Sequence, residues 1–187
     1  MNKPQETWHE TLPGVLDRAW ALIIRGTRDE KHAARTPTLA TMSDDGPQQR
    51  TLIMRKVDRE TALITLYTDA ATPKVQELQT DPRASLHIWD KKSQIQLRLS
   101  VTATMARGDP ALWAQMPYGA REVYGVDPAP GTPIEAPEGF TREPDETKFL
   151  KLSLEVQKLE LVALGLPIHR RAVFHRADGW AGQWLAP

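Results

Sequence analysis

The sequence contains no cysteine, which excludes disulfide bonds, thiolate metal sites, iron–sulfur clusters and a cysteine nucleophile. Its 24 basic and 24 acidic side chains give zero net charge, so bulk charge attracts neither nucleic acid nor an anionic membrane. No segment approaches the roughly 20 consecutive apolar residues that a membrane span requires. The amino-terminal residues also lack the apolar core of a signal peptide. We therefore expect a cytoplasmic protein in which any anion-binding site is local.

Common metal and nucleotide motifs are missing as well. The five histidines show no metal-binding spacing such as HExxH, and neither GxGxxG nor a P-loop occurs. The length of 187 residues and the 40% hydrophobic content are those of one globular domain. We predict a single domain over residues 1–187, large enough to bury a core without metals or disulfides.

The apolar periodicity predicts a helical amino-terminal segment (10–26) followed by a mainly β chain. Residues 11–25 carry apolar side chains at helical spacing, with Thr11 as the N-cap and Pro13 in the first turn. A second short helix is predicted over 74–79, capped by Thr72. In a Pro-rich segment, about 109–146, a further short helix is predicted to start at Asp109-Pro110, and residues 118–144 are predicted to be mostly loop with room for a helical turn near 120–124. Strands are predicted over 38–42, 49–57, 62–68, 84–89, 94–105, 149–162, 168–176 and 180–185, the sixth with a bulge near Gln157-Lys158.

This order of elements favours a small β-barrel. Repeated alternation of strand and helix is absent, which argues against a Rossmann fold. We predict a mainly β, six- to seven-stranded antiparallel barrel with short helices, because closure of the sheet removes exposed edges.

Two local groups of cations and hydroxyls indicate an anion site. Residues 50–56 put three cations on one strand, where they need solvent, an acidic partner or an anion. Thr68, Thr72 and Lys74 surround a predicted helix start, and a lysine there opposes the helix dipole unless an anion neutralises it. This second group suits a phosphate. The alternatives are a solvated strand face and a capped surface helix with an indifferent lysine.

Two further polar groups are weaker candidates. Gln96 lies beside Arg98 on the polar face of a long strand, and its amide suits the polar edge of a flavin or pyrimidine ring. His169 precedes two arginines, a cluster that suits an anion. A lone glutamine of this kind is more often a plain barrel surface residue, and such a basic stretch is more often the solvated side of an edge strand.

In order and spacing, these residues resemble the FMN-binding core of the pyridoxamine 5′-phosphate oxidase family. The segments that carry the resemblance are Arg50 to Lys56, Tyr67-Thr68-Asp69 to Lys74, Asp81-Pro82-Arg83-Ala84 before the strand to Trp89, Gln96, and the ending from Asp178-Gly179-Trp180 to Pro187. The resemblance implies a split β-barrel that forms a homodimer, with FMN at the subunit interface.

The resemblance also implies roles for individual residues. Arg50 and Lys74 would hold the FMN phosphate, and Thr68 would add a hydroxyl. Arg55, or Lys56 in a shifted register, would lie beside the isoalloxazine ring, and Gln96 would reach it from the opposite subunit. The full set of cofactor-binding candidates is Arg50, Thr51, Leu52, Ile53, Arg55, Tyr67, Thr68, Thr72, Lys74 and Gln96.

The chain departs from the family pattern in two ways: one cation of the FMN phosphate site is missing, and the substrate side differs. Pro73 stands where the family usually has an arginine, and Trp184 replaces the arginine before Leu-Ala-Pro. Substrate candidates are Arg121, His169 and Arg171. The resemblance thus implies an FMN-dependent oxidoreductase of a divergent branch, acting on a small molecule. A true pyridoxamine (pyridoxine) 5′-phosphate oxidase, a non-enzymatic flavin- or haem-binding module and a plain interaction domain are the alternatives.

Overall fold

The computed structural model describes residues 7–187 and confirms a mainly β architecture with short helices. No helix within this range is long and apolar enough to cross a membrane. The helices are α1 (Leu12–Arg25), α2 (Pro73–Thr80), α3 (Pro110–Gln115) and α4 (Tyr118–Arg121). The strands are β1 (Thr38–Ser43), β2 (Gly46–Thr51), β3 (Lys56–Asp58), β4 (Leu63–Asp69), β5 (Arg83–Asp90), β6 (Ile95–Arg107), β7 (Val126–Asp127), β8 (Thr141–Arg142), β9 (Phe149–Ala163), β10 (Arg170–His175) and β11 (Gln183–Leu185).

The strands form an antiparallel sheet built around the 15-residue β9. This strand pairs with β6 along one edge and with β4 and then β10 along the other. The spatial order of the strands is β11-β10-β9-β6-β5-β1-β2. From β2 the chain runs on into β3, which pairs with β4. The sheet therefore curls into a barrel from which β10 and β11 extend, the split barrel that the family resemblance implied.

The predicted bulge in β9 is confirmed. Ser100 of β6 faces Lys158, but the next residue, Val101, faces Val156, which leaves Gln157 without a partner in the register. Because one residue is skipped, the apolar side chains before and after the bulge point to the same side of the sheet. Leu152, Leu154, Val156, Leu159 and Leu161 are all fully buried.

Helix α1 also begins where the sequence predicted. The Thr11 hydroxyl accepts a hydrogen bond from the Gly14 amide at 3.2 Å, as an N-cap does. Val15, Ala19 and Ile23 are fully buried and belong to the same core cluster as the barrel strands. Amphipathic packing of this helix is therefore continuous with the barrel core.

The predicted strand 49–57 is wrong, because the chain breaks it into β2 and β3. Between them, the Leu52 amide donates to Pro37 O at 3.2 Å and the Met54 amide to Arg35 O at 2.8 Å. The Arg55 amide then donates to Thr65 O of β4 at 3.0 Å. Residues 52–55 thus cross from one side of the barrel to the other. Within residues 7–187 the main sheet has nine strands; seven of them form the barrel, in agreement with the prediction, and β10 and β11 extend from it.

Three smaller details differ from the predictions. The strand predicted over 180–185 begins only at Gln183, because a 3₁₀ turn ends at Gly179 in the left-handed region (φ 61°). Besides the predicted helix start at Pro110 and a helical turn at Tyr118–Arg121, the Pro-rich segment contains the two-residue pair β7–β8, which the sequence did not predict. Thr72 lies at the N-cap position of α2, but its hydroxyl does not cap the helix and instead donates to Asp69 O at 2.7 Å.

Candidate functional site

A cavity of about 270 Å³ lies where the crossing segment 52–55 meets the end of β4, the start of α2 and the Pro-rich segment. We call it the Lys74 cavity. Eight of the ten predicted cofactor-binding residues line it: Thr51, Leu52, Ile53, Arg55, Tyr67, Thr68, Thr72 and Lys74. Asp69, Val123, Tyr124 and Pro130 complete the lining.

The crossing segment gives the cavity an extended polypeptide wall. The amides of Leu52, Met54 and Arg55 are bonded to neighbouring strands and loops. Between them, the Ile53 amide donates to no acceptor within residues 7–187. Leu52 and Ile53 line the cavity, so this wall offers a ligand an apolar surface, and the Ile53 amide is an unused backbone donor of the same segment.

A cation and two hydroxyls meet in the lining of the cavity. The Lys74 ammonium donates to the Thr68 hydroxyl at 3.1 Å, and the Thr68 and Thr72 hydroxyl oxygens are 3.3 Å apart. The Thr72 hydroxyl is held by Asp69 O. All three polar groups thus lie at the start of α2, where the helix dipole also favours an anion.

The surroundings of Lys74 disfavour the protonated form of its amino group. Burial of the ammonium group, followed by the positive charge of Arg50, lowers the pKa of Lys74 to about 8. Asp69 and Glu77 act in the opposite direction without cancelling these effects. A bound anion would restore the ordinary pKa, because an opposite charge at close range favours the protonated form.

Arg50 lies beside this cluster but does not line the cavity. Its guanidinium donates to Glu77 Oε2 at 2.8 Å and also to the Thr41 hydroxyl. Glu77 and Thr41 are themselves hydrogen-bonded to each other, and Thr41 is buried. The structure thus gives Arg50 an acidic partner, one of the possibilities that the sequence left open. Its predicted contact with the FMN phosphate stays a prediction.

One side of the cavity, next to Arg55, is aromatic. The Arg55 guanidinium lies 6.0 Å from the centre of the Tyr67 ring, a cation–π distance. Tyr124 is buried beside them, and burial raises the pKa of its hydroxyl. Tyr67 and Tyr124 both pack on Phe149, with ring centres 5.0 and 4.9 Å away. This packing fixes the position of the aromatic wall.

The Pro-rich segment contributes three lining residues that the sequence did not predict as site residues: Val123, Tyr124 and Pro130. It is tied to the barrel by Asp69, a buried carboxylate that accepts from the Ala71 amide at 2.6 Å and from the Gly125 amide at 2.9 Å. Asp69-Ala70-Ala71 between a strand and a helix is an Asx-type signal, and it could have drawn attention to Asp69. Nothing in the sequence points to Gly125 as its partner.

Gln96 and the substrate candidates lie elsewhere on the chain. Gln96 pairs with Trp89 and Val162 on the outer face of the sheet. Arg121 lies over the Trp113 ring at 5.8 Å, and Arg171 donates to Glu160 at 2.8 Å. Neither they nor His169 lines the Lys74 cavity, so one chain does not bring the substrate candidates together there.

The sequence model of the pyridoxamine 5′-phosphate oxidase FMN-binding domain matches residues 6–107. This match covers more than half of the chain. The chain belongs to this family. Members of the pyridoxamine 5′-phosphate oxidase family commonly form dimers. The matched residues include the crossing segment and Lys74. They do not include the Pro-rich segment, whose three lining residues the sequence did not predict.

Solved structures of the family share the fold. A pyridoxamine 5′-phosphate oxidase-related, FMN-binding protein from Nostoc punctiforme PCC 73102 superposes with a TM-score of 0.72 at 24% identity, over 91% of this chain and 96% of that one. PhzG from Burkholderia lata 383, in complex with tetrahydrophenazine-1-carboxylic acid, gives 0.67 at 18% identity, over 99% and 95%. A protein related to general stress protein 26 from Clostridium acetobutylicum gives 0.58 at 14% identity, over 90% and 98%. No curated protein sequence matches the chain.

Proposed function

We propose that the chain binds FMN in the Lys74 cavity and acts as an FMN-dependent oxidoreductase on a small molecule. One observation carries the proposal: a single cavity joins a partly buried cation with two hydroxyls to an extended, partly apolar wall with an adjoining arginine. A phosphate and a planar ring need these two environments.

Lys74, Thr68 and Thr72 would hold the phosphate. The lowered pKa of Lys74 shows that burial and the charge of Arg50 disfavour its protonated form, and a bound phosphate would favour that form. Arg50, held by Glu77 beside Lys74, would add positive charge at short range. These groups form the kind of donor set that binds phosphate in other proteins.

Thr51, Leu52 and Ile53 would lie along the ring, with the free Ile53 amide as a donor to its polar edge. Bound FMN supplies two-electron or hydride transfer. Arg55 would stabilise negative charge on the ring when it is reduced, since a fixed cation acts most strongly where charge develops. The Tyr67 ring supports Arg55 in this place.

We further propose a homodimer in which Gln96 of one subunit reaches the ring bound to the other. The Lys74 cavity is open beside Ile53 and Val123, whose side chains are 42% and 51% exposed, so a single chain leaves the ring side uncovered. Each subunit would be one FMN-binding domain. The Pro-rich segment would belong to that domain, because the Gly125 amide is hydrogen-bonded to Asp69 at the end of β4.

The substrate side favours an oxidoreductase other than the pyridoxamine 5′-phosphate oxidase itself. That reaction needs a second phosphate site. Arg121 lies over Trp113, Arg171 is paired with Glu160, and neither lines the cavity. The substrate that we propose is therefore a small molecule that needs no second phosphate site.

Titration with FMN and with riboflavin, which lacks the phosphate, tests the site. We expect Lys74→Ala to weaken FMN binding by about tenfold or more, the value of a lost charged hydrogen bond, and to leave riboflavin binding unchanged. The exposed Lys91→Ala is the matched control. A protein that binds neither flavin, or a variant that weakens both equally, contradicts the proposed phosphate site.

Anaerobic reduction of the FMN-bound protein tests the activity separately. We expect NADH, NADPH or another organic donor to bleach the flavin absorbance with saturation kinetics. FMN that is bound tightly but is reduced by none of the donors would instead support the non-enzymatic binding module.

A further inference from the structure

A polar network ties β1, β2 and α2 together beside the Lys74 cavity. Its members are Thr41 of β1, Arg50 of β2 and Glu77 of α2. Glu77 Oε2 accepts from Arg50 Nη2 at 2.8 Å, and the Thr41 hydroxyl is hydrogen-bonded to both other members. Thr41 is 2% exposed and the Glu77 side chain is 10% exposed, so the carboxylate is largely shielded from water. We call this group the Glu77 network.

The network fixes the Arg50 guanidinium without using all of its donors. Nη1 donates to the Thr41 hydroxyl and to Gln48 O, the latter at 3.2 Å, and Nη2 donates to Glu77. Three of the five N–H donors are therefore used within residues 7–187, and the Nε–H and the second Nη2–H remain for a ligand. Since the guanidinium is planar and rigid, its three anchored donors also fix the direction of the other two.

Arg50 and Glu77 both act on Lys74, although neither lines the Lys74 cavity. The charge of Arg50 lowers the pKa of Lys74. Glu77, nearly one helical turn further along α2, raises that pKa, as does Asp69 at the end of β4. Because Coulomb interactions fall with distance, a phosphate bound at Lys74 would also be attracted by Arg50 and repelled by Glu77.

A carboxylate beside an anion site can act in two ways that differ in sign. If Glu77 acts only through its charge, or competes with the phosphate for Arg50, then its removal strengthens FMN binding. If Glu77 holds the guanidinium in place, its removal weakens binding, because Arg50 must then be ordered when the phosphate binds. The buried, Thr41-linked carboxylate and the two remaining donors of Arg50 favour the second role.

We propose that Glu77 is a positioning residue for the phosphate of FMN, which acts by holding the Arg50 guanidinium beside Lys74. The proposal rests on the proposed function of the Lys74 cavity. Because Pro73 stands where the family usually has an arginine, Arg50 and Lys74 are the two cations predicted to hold the phosphate. The orientation of Arg50 then contributes directly to the affinity.

Titration of Glu77→Gln with FMN and with riboflavin tests the sign of the effect. We expect FMN affinity to fall about tenfold and riboflavin affinity to stay unchanged, since only FMN has a phosphate. The exposed Glu60→Gln is the matched control. Glu77→Asp keeps the charge but shortens the side chain, so it should lose less FMN affinity than Glu77→Gln and provides the test if the amide variant does not fold. Circular dichroism and the melting temperature report folding.

The same substitution in an Arg50→Ala background shows whether Glu77 acts through Arg50. Without Arg50, only the repulsion between Glu77 and the phosphate remains, so Glu77→Gln should no longer weaken FMN binding and should strengthen it slightly. The pH profile is a second readout. Removal of the Glu77 charge lowers the pKa of Lys74 further, so the loss of FMN affinity should begin below about pH 8 in Glu77→Gln.

Three results overturn the positioning role of Glu77. They are an FMN affinity of Glu77→Gln that equals or exceeds the wild-type value, equal losses for FMN and riboflavin, and the same loss with and without Arg50. If Lys74→Ala is nevertheless defective in FMN binding, the phosphate site itself stands and only the role of Glu77 is wrong. A wild-type protein that binds no FMN would overturn both proposals.

Discussion

At the scale of single residues, Lys74 combines a charge, partial burial and a hydroxyl partner in a way that an exposed lysine does not. Its pKa of about 8 lies close to neutral pH, so the protonated fraction changes over an accessible range. The direction follows from burial, which disfavours the charged form of a lysine. The affinity for FMN should therefore depend on the protonation of Lys74.

We predict that FMN affinity falls as the pH is raised from about 7 to about 9.5, by up to about tenfold per pH unit once Lys74 has lost its proton. The phosphate of FMN is already a dianion above its second pKa of about 6, so it does not titrate in this range. Because the bound phosphate raises the pKa of Lys74, the fall begins near the pKa of the free protein, about 8, and levels off only above the higher pKa of the complex. Fluorescence titration at several pH values measures it.

Riboflavin and the variant Lys74→Met are the controls for this pH dependence. Riboflavin has no phosphate, and the variant has no titrating group, so both should bind with a flat profile over the same range. An equal slope for FMN in Lys74→Met would assign the pH dependence to another group and contradict the role of Lys74.

At the scale of elements, the sequence predicts best where local rules agree. The parity shift of apolar residues in β9 reveals the bulge at Gln157, since every core-facing residue must reach the same side of the sheet. Thr11 and Pro13 mark the start of α1 through local capping rules. The cation and hydroxyls at the start of α2 could likewise be read from the sequence, because they lie within seven residues of one another.

Long-range contacts explain what the sequence could not predict. The apolar residues Leu52 and Met54 alternate with their neighbours as they would in a strand. The sequence pattern therefore gives no sign that the strand is broken between β2 and β3. The break depends on bonds to Arg35, Pro37 and Thr65, which are distant in sequence. The wall formed by the Pro-rich segment is equally hidden, because Asp69 and Gly125 are separated by 56 residues.

The bond between Asp69 and Gly125 makes the Pro-rich wall testable as an element. In Asp69→Asn, one of the two acceptors becomes an NH₂ group facing a backbone N–H, and a buried mismatch of this kind destabilises by about 1–3 kcal/mol. We predict faster proteolysis within the Pro-rich segment and weaker binding of both FMN and riboflavin, since the wall lines the cavity. Mass spectrometry of the fragments and flavin titration measure the two effects.

The exposed Glu138→Gln makes the same acid-to-amide change within the segment and should leave both measurements unchanged. If Asp69→Asn lowers the melting temperature but leaves the cleavage pattern and flavin affinity as in the wild type, Asp69 supports only the end of β4. The Pro-rich segment would then not be held at the cavity by this bond.

At the scale of the whole molecule, the proposed site is divided between two faces of the chain. Lys74 and the crossing segment lie at one cavity, whereas Gln96 lies on the outer sheet face with Trp89, which is 40% exposed. A symmetric dimer places the same two surfaces against each other twice and so creates two equivalent composite sites. The proposed dimer thus explains how Gln96 and Lys74 can belong to one site.

A mixture of two defective variants tests this arrangement. Lys74→Ala removes the phosphate cation, and Gln96→Ala removes the contact proposed from the partner. If the site is shared, a heterodimer of the two variants has one intact site, formed by Lys74 of one subunit and Gln96 of the other, and one site lacking both. At an FMN concentration that neither variant alone retains, we predict that co-refolded or subunit-exchanged mixtures regain about a quarter of the wild-type FMN, because about half of the dimers are mixed and each has one intact site of two. Light scattering confirms the dimer, and flavin absorbance counts the bound FMN. A stable monomer that binds FMN, or a mixture that binds no more than its components, would mean that each chain completes its site alone.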